Sequence, residues 1–211
     1  MVRGRDEVTG VLLVGGASRR FGSPKALARF RGEVLGERAH RVLEDAFGRV
    51  LVVGKAGDDL GLPFDVVDDG SEVRAPIVGL VAALRDAETD VCVVLPTDMP
   101  LVSSEFLLRL ADEVEGHDVA APPTGPLPGA YRKSALPVLE ARLAAGELAL
   151  YPGGQSETEL LFPYGQTCFA SKAGQLAGNH FATIVEGGEH LQELGELVLW
   201  DGAQPISFRE S

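Results

Sequence analysis

Val8-Thr9-Gly10-Val11-Leu12-Leu13-Val14-Gly15-Gly16-Ala17-Ser18-Arg19-Arg20-Phe21-Gly22-Ser23-Pro24-Lys25-Ala26-Leu27 decides the reading of the fold. Its first seven residues form a short apolar run without polar alternation, the pattern of a strand buried on both faces. The run stops at paired glycines, followed by two arginines, another glycine and a lysine. Glycines let the backbone come close to a ligand and turn amide N–H groups toward phosphate oxygens. Arg19 or Arg20 can fork two phosphate oxygens, and Lys25 supplies a movable point charge. The segment is not a Walker loop, because Phe21 stands where a second glycine would be needed, and it is not G-x-G-x-x-G. By these rules alone it is either an anion site after a first strand or a plain tight turn.

Working outward, strands and helices alternate. Leu35, Ala39, Val42, Leu43 and Ala46 have helical spacing. Val50–Val53 and Phe64–Val67 read as further strands, the second ended by Asp68-Asp69-Gly70. Pro76 opens a helix that runs to about Ala87, since proline suits a first helical turn. Val91–Leu95 is a fourth strand, followed by Pro96-Thr97-Asp98-Met99-Pro100. Ser103 caps the next helix, with Phe106, Leu107 and Leu110 inward. A strand from His117, another over 127–132 and a helix over 134–144 complete the pattern, which weakens after residue 145. Tyr151–Ser156 reads as a mobile loop. Such alternation predicts an α/β protein: three layers, Rossmann-like, with a mainly parallel central sheet and helices on both faces. Ligands in these sheets sit beyond the carboxyl ends of the strands. The Gly15-Gly16 loop, the Asp68-Asp69 pair and the Thr97-Asp98 turn should therefore gather along one edge.

Composition narrows the function classes. The 211 residues carry 19 basic and 31 acidic side chains, a net charge of −12, which argues against a nucleic-acid binder. Nine of the basic residues but only four acidic ones lie in residues 1–41. A local basic cluster in an acidic chain suits a small anionic ligand or a solvated helix face. Apolar residues make up 45% of the chain, yet no run approaches the roughly 18 residues of a membrane span, and the start, Met1–Glu7, lacks an apolar stretch of signal-peptide type. Together with two cysteines, Cys92 and Cys168, read as thiols rather than a disulfide, this gives an expected cytoplasmic setting with no membrane partner. Cys92 reads as a small core residue and Trp200 as a packing residue, and the four histidines lack metal-ligand spacing.

The glycine–arginine–lysine segment resembles the signature of nucleotidyltransferases, and in particular of the molybdenum cofactor guanylyltransferases. Asp98-Met99-Pro100 is similar to that family's Asp-x-Pro turn. Asp69 with Ala75-Pro76-Ile77-Val78-Gly79 resembles its acidic residue followed by Gly-Pro-Leu-x-Gly. Leu127–Leu136 looks like its substrate-side strand and helix. The resemblance covers roughly residues 8–145 and implies a nucleotidyltransferase fold. One domain over 1–211 is expected, with an NTP-binding part at about 8–100 and an acceptor part at about 101–200. It implies GTP and a molybdopterin-type phosphorylated acceptor as substrates, and proteins that deliver or receive the cofactor as further partners. The implied reaction transfers GMP and releases pyrophosphate, with Mg²⁺ as cofactor and Asp98 as its ligand. Lys25 and Arg19 would join Asp98 in catalysis, Arg19 and the amides after Gly16 holding pyrophosphate. Leu13, Val14, Gly15, Gly16, Lys25, Asp69, Gly79 and Asp98 would bind the nucleotide, with Asp68 one residue away as the alternative to Asp69.

Two departures from the family pattern stand out. Val53-Gly54-Lys55 occupies the end of the second main strand, where the family has an asparagine near the base. With Val53 in the asparagine's place, Val53→Asn should sharpen a guanine preference carried by backbone groups of Leu13–Gly15. Phe181–Gly188 stands where the family has Asn-x-Asn-Thr-Pro. Three functions remain open from the sequence: guanylyl transfer to molybdopterin, a sibling transferase using CTP or another phosphorylated acceptor, and a non-catalytic nucleotide-binding module.

Overall fold

A computed structural model describes residues 5–15, 24–55, 57–58, 60–122 and 125–150, and the backbone of strands at 168–169, 196–200 and 205–209. In chain order the strands are β1 (Val8–Leu13), β2 (Arg29–Phe30), β3 (Glu33–Val34), β4 (Arg49–Gly54), β5 (Val67–Asp68), β6 (Val91–Pro96), β7 (Val119–Ala121), β8 (Gly129–Arg132), β9 (Cys168–Phe169), β10 (Glu196–Trp200) and β11 (Pro205–Arg209). The helices are α1 (Leu35–Ala46), α2 (Pro76–Asp86), α3 (Ser104–Glu113) and α4 (Leu136–Ala144). Seven strands form one sheet in the order β5-β4-β1-β6-β8-β7-β9. β5, β4, β1 and β6 are parallel, whereas β8 runs antiparallel to β6 and to β7.

The apolar runs lie where strands are covered on both sides. All six residues of β1 are buried. Val91, Val93 and Leu95 of β6 pack with α1 and α3, while Cys92 and Val94 pack with α2 and α4. The same period-two division sends Val8 and Leu12 to the first layer and Val11 and Leu13 to the second. α1 buries all five of its helically spaced apolar residues. Ser103 Oγ accepts from the Phe106 amide at 3.3 Å, the cap expected at the start of α3. Burial pushes the Cys92 thiol up to about 12, so it remains a neutral core group.

Three features differ from expectation. The strand over Phe64–Val67 shrinks to Val67 and Asp68, because Phe64 leaves the ladder to stack on His40, with ring centroids 4.1 Å apart. A small hairpin, β2–β3, precedes α1, and its turn places Arg31 and Gly32 both at positive φ (53° and 84°). Two successive positive φ values are the mark of the hairpin turn whose twist matches its strands, and Gly32 was its only sequence signal. Past residue 145, β9 extends the sheet beside β7, and β10 pairs with β11. The expected loop at Tyr151–Ser156 lies outside the described residues, as does the side chain of Trp200.

Chain order reverses beside β1. β1, β4 and β5 follow one another outward, and α2 then carries the chain back to β6 on the other side of β1. The crevice beyond the carboxyl ends of β1 and β6 is therefore the switch point at which open α/β sheets bind ligands.

Candidate active site

At that switch point stand the two groups with the most direct chemical use. Lys25 opens a short helical turn, Lys25–Leu27, which packs against α1. Asp98 lies two residues past β6, and its Oδ2 accepts from Lys25 Nζ at 3.3 Å. Their side chains are 33% and 23% exposed, so both can still meet a ligand. The Asp98 turn is tied down from its far end: Arg38 of α1 donates from Nε to the Pro100 carbonyl at 2.7 Å and from Nη1 to Glu33 at 2.9 Å. Arg41 and Arg38 together hold the Glu33 carboxyl below its ordinary range.

Asp98 is a hard oxygen donor. Among the described residues no group of three or more His, Cys, Asp or Glu side chains comes together to hold a metal. A carboxylate oxygen of this kind suits a hard cation that keeps several waters and finds its other ligands on a substrate's phosphates.

The other expected residues sort by what their atoms already do. Leu13 and Val14 are buried, and the Val14 amide donates to the Val53 carbonyl at 2.9 Å, continuing the β1–β4 ladder. Gly15, the next residue, is exposed. Gly79 lies on α2 under the end of β1, where a Cβ would come 3.0 Å from Leu13 Cδ2. Its lack of a side chain lets helix and strand approach. Asp69 comes to the same edge of the sheet through β5, and its amide donates to the Gly54 carbonyl at 2.9 Å. Its Oδ1 accepts from Lys55 Nζ at 2.7 Å and from the Ser71 amide at 3.0 Å. Asp68, the alternative, accepts the Gly70 amide in a local turn. Gly16, Arg19 and Arg20 lie outside the described residues, and so does Phe181–Gly188.

The reading of Val53 is corrected. Val53 is 1% exposed and packs with Leu13, Ile77 and other apolar residues between sheet and α2. Strand alternation turns it into the core, and the strand-end residue that reaches along the ligand edge is Lys55. Val53→Asn should therefore lower stability by about 1–3 kcal/mol, the cost of burying an amide without partners. Its nucleotide preference should stay at the parent value. Thermal unfolding and competition with GTP, ATP and CTP check both points, and a sharper guanine preference would restore the original expectation.

The sequence reading passed over Lys55 and Arg38. Lys55 had one available signal, a lone cation one residue past a buried strand. Arg38 had none, because its partner Pro100 is 62 residues away.

Comparison with known proteins points the same way as the geometry. A family described as the MobA-like NTP transferase domain matches residues 10–156. A second family, of proteins of unknown function, matches residues 138–210. The chain is 35% identical over 144 residues to a probable molybdenum cofactor guanylyltransferase of Pelotomaculum thermopropionicum, covering 66% of this chain and 70% of that one. A relative with the same name from Chloroflexus aggregans is 34% identical, covering 68% and 74%. The crystal structure of molybdopterin-guanine dinucleotide biosynthesis protein A from Archaeoglobus fulgidus is similar with a TM-score of 0.55 at 29% identity, over 66% of this chain and 75% of that one.

Proposed function

The chain belongs to the MobA-like NTP transferase family, and on that premise we propose that it transfers GMP from GTP to the terminal phosphate of a molybdopterin-type acceptor. The observation that carries the reading is the Lys25–Asp98 pair, 3.3 Å apart at the switch point. An acceptor phosphate oxygen attacks the α-phosphorus in line, the bond to the bridging oxygen of the β-phosphate breaks, and pyrophosphate leaves. Such chemistry is mostly positioning and charge stabilisation. Bound Mg²⁺ would supply Lewis-acid neutralisation at the α-phosphate, with Asp98 as its protein ligand.

The chain's own residues do the rest. Lys25 neutralises charge gathering on the phosphates. Arg19 and the amides after Gly16 hold the departing pyrophosphate. The backbone from Leu13 to Gly15 lines the base and ribose, and Asp69 borders the nucleoside end. The acceptor meets the half of the chain that begins at about residue 101. The setting is cytoplasmic; no helix among the described residues is long and apolar enough to cross a membrane.

Pyrophosphate release with each of the four NTPs, with and without molybdopterin and Mg²⁺, tests the proposal. Release is expected with GTP only when acceptor and Mg²⁺ are both present. A clear preference for CTP would move the protein to the sibling cytidylyltransferases. Nucleotide binding without release under any condition would make it a non-catalytic module.

A further inference from the structure

Lys55 leaves the end of β4 with a side chain only 10% exposed, against an Asp69 side chain 7% exposed. Its Nζ donates to Asp69 Oδ1 at 2.7 Å, to the Ser71 carbonyl at 2.5 Å and to the Val73 carbonyl at 2.6 Å. The three donors of the ammonium thus all go to one segment of five residues, 69–73. Next along the chain, Arg74 forks the carboxylate of Asp58 at 2.6 and 2.7 Å, which joins this segment to the loop after β4. The segment then runs directly into Pro76 and α2.

A nearly buried ion pair is a poor way to gain stability. Removing two charges from water costs about as much as their attraction returns, and apolar side chains of similar size usually serve as well. What such a pair does well is hold one backbone geometry. The segment it holds hangs off β5, three strand intervals from β6. At about 4.8 Å per interval that is roughly 14 Å from the strand that carries Asp98. Asp69, at the end of β5, is thus too far away to act on the reacting phosphates, and on the proposed reading the segment that starts there borders the other end of an extended nucleotide.

We infer that Lys55 is a positioning residue for the nucleoside end of the site. It holds segment 69–73 as a preformed wall, so that base and ribose meet an ordered surface when the triphosphate is seated at Lys25. The inference rests on the reading of this edge as an NTP site.

Calorimetric titration of the full chain with GTP and with inorganic tripolyphosphate tests it, using the parent protein, Lys55→Met and Lys55→Arg. Lys55→Met should weaken GTP about tenfold or more, the scale of one lost charge-assisted hydrogen bond, and leave tripolyphosphate within about twofold. In turnover, KM for GTP should rise while kcat is largely kept. Lys55→Arg, which keeps the charge and the donors, should recover part of the GTP affinity, and it carries the test if Lys55→Met does not fold. An Arg variant with no recovery would overturn the positioning role. Unchanged GTP binding in the Met variant, or equal losses on both ligands, would overturn it too. A parent protein that binds neither ligand would overturn the NTP-site reading itself.

Discussion

Asp98→Ala is expected to slow nucleotidyl transfer about a hundred- to a thousandfold while the protein keeps its fold. Losing one preorganised group that meets developing charge costs ~3–4 kcal/mol of transition-state stabilisation, at about 1.4 kcal/mol per factor of ten. The fold should survive because the turn is held from both sides. β6 is buried before it, and Arg38 grips the Pro100 carbonyl after it. A second effect has the opposite sign. The carboxylate puts a negative charge beside the position given to the triphosphate, and it draws on Lys25 at 3.3 Å. Without it, GTP in metal-free buffer should bind at least as tightly as to the parent. Single-turnover rates with Mg²⁺, and titrations with and without it, read both effects. Turnover near the parent rate would remove Asp98 from the chemistry. Weaker metal-free binding would mean that its carboxylate organises the pocket rather than holding a cation.

How far the sequence discloses this molecule depends on the range of the interaction. β1 and β6 are legible because a strand covered on both faces needs a continuous apolar run, and Val8–Leu13 and Val91–Leu95 are such runs. α1 is legible from the spacing of Leu35, Ala39, Val42, Leu43 and Ala46. Parallel strands then place their carboxyl ends together, which is why Lys25, Asp69 and Asp98 reach one edge of the sheet. What joins residues across loops is not legible in this way. Lys55 and Asp69 are 14 residues apart, and no local period links them. Near its carboxyl end β4 is covered on both faces, Val52 packing in one helical layer and Val53 in the other, so Val53 was misplaced because only residues past the strand end reach the ligand edge. β5 fell short for a comparable reason: an apolar string at Phe64–Val67 cannot show that Phe64 has a better partner in the ring of His40.

Lys25→Ala should weaken GTP about ten- to a hundredfold, the range of a lost hydrogen bond between charged groups. Guanosine should bind within about twofold of the parent, because in the proposed reading the ammonium meets the ligand at its phosphates alone, the kind of contact that holds a ligand without reading its base. The loss should exceed that of a simple contact, because Asp98 would then face the triphosphate without its neighbouring cation. Stability should fall by no more than about 1–3 kcal/mol, since the pair is partly buried and Asp98 keeps access to water. Salt separates the two origins. At about 1 M salt the screening length falls to about 3 Å, so the long-range part of the repulsion from Asp98 disappears while direct contact to phosphate persists. The gap between parent and variant should therefore narrow with salt without closing. Titrations of GTP and guanosine at low and high salt, with thermal unfolding as the control, check each step. Equal losses on both ligands would show that Lys25 acts through the shape of its short helical turn. The phosphates would then have to be met by Arg19 and the glycine amides that precede it.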